Sequence, residues 1–269
     1  MEQLLNEDSD KEPKSKTRNI KIAKILTISF AILLFLNFLL VSILFSWADW
    51  LAILIFSLLF IVPAYLSNAG MVIVAKFKHL APLGRPIDKG KICKDGRRIT
   101  GDHKTWRGLI FGPLYIGIPI SIGISLLFYV LWPFIEPIIQ AGIDQGIYQL
   151  YNDISYYEFY FLGGPYPIGI LMLILRIILI SYGACVGDLI GSFLKRRVNI
   201  KSGEPFWIID QLDFAAGALL LGSIPLLFLS GLYLAPDIHV IIFLLILTPS
   251  VSLIANTIAY LTRLKDVPW

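Results

Sequence analysis

The sequence predicts an all-α integral membrane protein of about six transmembrane helices, both termini cytoplasmic. Three observations predict it. First, 57% of the 269 residues are hydrophobic and only 16% are charged, with mean hydropathy +0.74. A soluble domain of this length needs far more polar surface. Second, six stretches, near 25–46, 49–75, 108–132, 160–190, 214–235 and 238–262, reach the roughly 20 apolar residues a spanning helix needs. They run continuously rather than alternating, which makes a membrane barrel a poor alternative. Third, Lys and Arg gather in the N-terminal tail, 76–107, 195–201 and the C-terminal tail, with Arg176 as the exception. The intervening turns carry Asp49, Glu136, Asp144, Asp153, Glu158 and Asp237 instead. Six helices satisfy that alternation without a violation.

The elements follow in order. Residues 1–24 are polar, mixed in charge and read as a disordered cytoplasmic tail. The length of the tail and of the next apolar run excludes a secretory signal peptide. Residues 25–48 form a first helix, and the turn at 47–50 makes it a hairpin with the second. A core at 49–269 then holds five helices and two polar cytoplasmic loops, 76–107 and 192–213. Between them, 133–159 carries Tyr148, Tyr151, Tyr156 and Tyr157. Tyrosine suits a membrane–water boundary, so this loop reads as an interfacial cap with room for a short helix. Cys93 and Cys185 lie in a cytoplasmic loop and a helix, which favours neither a disulfide nor a metal motif.

The first loop holds ten Lys and Arg residues against Asp88, Asp95 and Asp102. Positive-inside topology explains much of that charge. It does not explain Lys104 and Arg107, which sit where the third helix starts and oppose its dipole. An anion there removes the conflict, so Arg97, Arg98, Lys104 and Arg107 are candidate phosphate ligands. Gly84, Gly90, Gly96 and Gly101 allow backbone amides to turn toward it. Asp102 reads as a helix cap or a site residue, capping being the commoner role. Asp88 and Asp95 read as loop acids, Asp95-Gly96 being a turn dipeptide.

In GACVGDLIGSFLKRR, Gly183, Gly187 and Gly191 form a stripe that admits a close helix neighbour. Asp188 lies about 10 Å inside the helix end, at 1.5 Å per residue. A carboxylate at that depth is costly and marks a functional site by default. Ser192 and Lys195 share its face. Asp210 and Asp213, three apart, share a face at the start of the fifth helix. They suit either the helix dipole or Mg²⁺, which takes oxygen ligands and shares its shell with substrate phosphates. Arg176 is about 18 Å along the helix from Asp188 and receives no role.

The stretch GDLIGSFLKRRVNIKSGEPFWIIDQLDF resembles the signature of CTP-dependent lipid cytidylyltransferases: Gly-Asp, Ser-x-x-Lys-Arg, a downstream Lys and two acids three apart. PAYLSN (63–68), PIDKGKICKDGRRITGDHKTWRG (86–108) and LKDVPW (264–269) are similar to the archaeal branch, the CDP-archaeol synthases. The resemblance covers about 55–269. The first helix is additional to that family's five-helix core. Ser202 and Gln211 depart from the pattern of the phosphatidate cytidylyltransferases, which carry Asp and Arg there, and favour the archaeal branch.

The resemblance implies transfer of a cytidylyl group from CTP to 2,3-bis-O-(geranylgeranyl)-glycerol 1-phosphate, an isoprenoid ether lipid phosphate, with release of pyrophosphate. It implies Mg²⁺ on Asp188, Asp210 and Asp213, and catalytic roles for Lys104 and Lys195 beside them. Arg97, Arg98, Asp102, Arg107, Ser192, Arg196 and Lys201 then bind substrate. No nucleic acid is implied; the setting is the cell membrane with the site on the cytoplasmic side. One rival is a phosphatidate cytidylyltransferase acting on diacyl lipid. Another is an anion transporter, which needs charge across the membrane rather than at one side.

Overall fold

The computed structural model describes residues 2–144, 152–200, 203–229, 231–234, 236–263 and 266–268, with side chains from residue 17 onward. Helix α1 (Glu2–Leu44) and α2 (Trp47–Val74) form the expected hairpin. Helix α3 (Trp106–Gly112) passes through a π-turn at Pro113–Gly117 into α4 (Ile118–Asp144). Then come α5 (Ile154–Leu162), α6 (Ile168–Arg197), α7 (Ile209–Ser223) and α8 (Ile238–Leu261). Six helical stretches are long and apolar enough to cross a membrane: Thr17–Leu44, Trp47–Val74, Trp106–Asp144, Ile168–Arg197, Ile209–Leu227 and Ile238–Leu261. Among the described residues there are no strands; isolated bridges pair Pro86 with Thr105 and Ile92 with Arg98 in the loop between α2 and α3.

Several boundaries move, each for a local reason. The helix of the first span begins at Glu2, inside the stretch read as a disordered tail. The extension is continuous with the apolar turns that follow, despite Pro13 in its interior. The third span continues through Pro133 and Pro137 to Asp144 rather than ending at 132. The fourth starts at Ile168 rather than 160, because Gly163 and Gly164 adopt φ of 88° and 97° and end α5. The fifth stops at Leu227, closed by a 3₁₀ turn. Within the cap region, Tyr157 is only 1% exposed and packs on Phe56, so it belongs to the core rather than the interface. Tyr148 and Tyr151 lie outside the described residues.

Acids of the turns opposite the basic loops cap helices. The Ser46 hydroxyl accepts from the Asp49 amide at 3.2 Å and donates to its carboxylate at 2.7 Å. Asp153 and Asp237 accept the amides of Ser155 and Val240 at the starts of α5 and α8. These bonds satisfy donors that the first turn leaves open.

Helix α2 is the central strut, touching every other spanning helix. Its Phe56 and Phe60 are fully buried with Ile180 of α6 and Leu244 of α8. Helix α1 joins from outside, through Thr27 to Thr257 at 2.9 Å and the Trp50 indole donating to Asn37 at 3.1 Å. The tightest approach is between α6 and α7. An ideal Cβ on Gly183 would lie 2.6 Å from the Gly217 carbonyl oxygen, and one on Gly187 would overlap the Asp213 carbonyl. The stripe expected to admit a close neighbour is thus filled by α7.

Gly187→Ala is expected to cost about 1–3 kcal/mol by overpacking, read as a lower Tm of the detergent-solubilised protein. Gly123→Ala is the control, because a Cβ there meets nothing within 4 Å. Equal behaviour of the two variants refutes the contact.

Candidate active site

The two loops meet at one end of the bundle. The first folds back on itself around Asp88, whose side chain is buried. The Asp88 carboxylate accepts from the Gly90 amide at 2.9 Å, the Thr100 amide at 3.1 Å and Arg98 Nη2 at 2.8 Å and Nε at 3.3 Å. Burial alone raises its pKa; the bonds from Arg98, Gly90 and Thr100 outweigh that and bring it from 3.8 down to about 2. Arg98 also pairs with Asp102.

The folded loop is then fastened to the end of α6. Arg197 Nη1 donates to both Asp95 carboxylate oxygens at 2.7 Å, and its Nη2 donates to the Arg98 carbonyl. Arg97 in turn donates to the Arg197 carbonyl. Arg97 and Arg98 therefore hold the loop rather than facing the acids. Asp102 is not the helix cap: Thr105 caps α3, accepting the Gly108 amide at 3.2 Å.

This fastening brings Lys104 to α6. Its Nζ lies 2.6 Å from both carboxylate oxygens of Asp188. Seven residues further along α6, Lys195 Nζ lies 2.8 Å from Asp210 Oδ2, which also accepts the Phe206 amide at 3.0 Å. Asp213 presents its carboxylate against Gly191, where any side chain would overlap it. Lys104, Asp188, Ser192, Lys195, Arg196, Asp210 and Asp213 thus line one cavity of about 250 Å³. Arg107 and Asp102 line a second, of about 610 Å³, between α2, α3 and α6. The two cavities share His103, Lys104 and Asp188. Lys201 lies outside the described residues.

The donor set suits a hard cation: three carboxylates face one polar cavity and Asp213 is within electrostatic reach of the other two. They are not drawn together as a three-ligand metal cluster among the described residues, and lysines hold two of them. An ion that keeps waters and takes substrate phosphates needs only one or two carboxylates.

Sequence reasoning missed Asp88, Thr105 and Arg197. The Asp-x-Gly spacing of 88–90 is a local turn signal, and Thr105 before an apolar run is a cap signal. Arg197 has no such signal, because its partners are about a hundred residues away. Arg176 stays apart from the site: it is buried and donates to the Tyr160 carbonyl at 3.2 Å.

Fold and site together define a multi-pass helical membrane protein with a pair of charged cavities at one end of its bundle. The CarS-like family, described as CDP-archaeol synthase, matches residues 50–134 and 138–269. The CDP-archaeol synthase of Thermococcus kodakarensis is 34% identical over 82% of this chain and 99% of its own. That of Methanocaldococcus jannaschii is 36% identical over 79% and 96%. A solved intramembrane enzyme for archaeal membrane lipid biosynthesis overlays with TM-score 0.44 and 23% identity, over 77% of this chain and 92% of its own. The chain belongs to the CarS-like CDP-archaeol synthase family. Residues 1–49 lie outside the family match.

Asp88→Asn removes the charge from an acceptor of several bonds, each worth about 1.5–3 kcal/mol when one partner is ionised. Faster tryptic cleavage at Arg97 and Arg98 is expected, and an unchanged rate refutes the hub. The depressed pKa fixes a pH window as well. The stabilisation is complete above the unfolded value of 3.8 and is lost as pH falls through about 2. Pepsin susceptibility of the loop should therefore rise only below about pH 4.

Proposed function

We propose that the protein transfers the cytidylyl group of CTP to 2,3-bis-O-(geranylgeranyl)-glycerol 1-phosphate, making CDP-archaeol and pyrophosphate on the cytoplasmic side of the cell membrane. Family membership supports the reaction class. The observation that carries the reading is the Lys104–Asp188 pair, which joins a polar, acid-lined cavity to a larger one opening among helices. Such an arrangement suits a reaction between a soluble polyanion and a membrane-borne phosphate.

An oxygen of the lipid phosphate attacks the α-phosphorus of CTP. The bond from that phosphorus to its bridging oxygen breaks, and pyrophosphate leaves with the electron pair. No protein nucleophile is needed, so catalysis rests on positioning and charge neutralisation. Lys104 and Lys195 supply positive charge and orient the carboxylates they hold. Ser192 offers a hydroxyl beside them, and Lys201 is assigned to the same phosphate-binding group from the sequence pattern. Asp188, Asp210 and Asp213 would hold Mg²⁺, which when bound neutralises phosphate charge. The cavity supports this assignment, because its three carboxylates balance Lys104, Lys195 and Arg196 and leave no surplus positive charge for a triphosphate.

Purified protein given labelled CTP, Mg²⁺ and either isoprenoid ether or diacyl lipid phosphate should form CDP-lipid, with the ether acceptor preferred. No product with either acceptor overturns the reading; a diacyl preference moves it to the phosphatidate cytidylyltransferase reaction. Asp188→Asn should lower kcat by about 10²-fold or more while the protein still inserts in membranes, and full activity refutes its role.

A further inference from the structure

Four Lys and Arg residues line the two cavities. Lys104 and Lys195 each pair with a carboxylate. Arg107 and Arg196 do not. Neither side chain makes an ion pair or donates a hydrogen bond among the described residues, and the Nε of each, like that of Arg197, is buried without a partner. A buried guanidinium donor left open is costly, and its planar fork matches a phosphate. The two arginines are divided between the cavities: Arg107 lines the larger and Arg196 the smaller, with the Lys104–Asp188 pair as the shared wall.

The linings differ in the same sense. The smaller cavity is walled by acids, lysines, Ser192 and glycines, with no apolar side chain. The larger adds Met71, Val72, Leu109 and Leu189 to its charged residues. Val72 is 69% exposed on the outside of α2, so this cavity borders the surface that apolar chains cover in a bilayer. A polyanion fits the first lining. An amphiphile with one phosphate fits the second.

We propose that the two substrates have separate phosphate seats: Arg107 holds the phosphate of the lipid acceptor, and Arg196 holds the triphosphate of the nucleotide. The reacting oxygen and the α-phosphorus then meet across Lys104 and Asp188. This assignment rests on the cytidylyl-transfer reading and divides its substrates between two arginines.

The test uses the full-length protein in detergent, with CTP binding measured by equilibrium dialysis in Mg²⁺ without lipid, and lipid KM measured by CDP-lipid formation at saturating CTP. Arg107→Ala should raise the lipid KM at least about tenfold, the worth of one charge-assisted hydrogen bond, with the Kd for CTP within about twofold of wild type. Arg196→Ala should do the reverse. Arg107→Lys keeps the charge without the fork and should give a smaller rise in lipid KM, which guards against a misfolded alanine variant. If Arg107 variants weaken CTP binding and leave lipid KM unchanged, or both arginines move both constants alike, separate seats are refuted. A wild-type protein that forms no CDP-lipid at all overturns the underlying function instead.

Discussion

At Gly187 the backbones of α6 and α7 meet with no side chain between them. That contact sets the geometry of the site. Asp188 is the next residue on α6, and Asp213 is the α7 residue whose carbonyl Gly187 touches. Any larger residue in the stripe at Gly183, Gly187 and Gly191 pushes the two carboxylate-bearing helices apart. A packing feature without chemistry of its own therefore fixes where the acids stand.

The second requirement is to bring a loop cation to those acids. A basic loop alone repels itself and has no reason to lie over a helix end. Asp88 turns the loop inward by neutralising Arg98 and accepting two amides. Arg197 then ties it to α6 through Asp95 and a backbone carbonyl. Much of the positive charge that sequence reading assigns to substrate is spent on this construction, as Arg97 and Arg98 illustrate. Of the lysines and arginines that line the two cavities, Arg107 and Arg196 remain uncommitted.

The protein also separates its deep charge from its chemistry. Arg176 donates to the Tyr160 carbonyl and lies 5.8 Å over that ring, far along α6 from Asp188. Such a residue fastens α5 onto α6. A transport path would need charge distributed through the spanning region, and the described ion pairs lie at one end instead.

Six spans, the two polar loops and the acids Asp188, Asp210 and Asp213 were legible in the sequence by itself, because hydropathy, charge placement and helical spacing are local quantities. The motif order also carried the family resemblance. Helix ends were less legible: the Gly163-Gly164 break and the π-turn at Pro113 depend on how the flanking helices pack. The loop's wiring was hidden for a stronger reason. Whether a basic residue faces a phosphate, a carboxylate or a carbonyl depends on neighbours about a hundred positions away, as at Arg97 and Arg197. Residue type and spacing determined which groups could do chemistry, and the tertiary structure decided which remained free to do it.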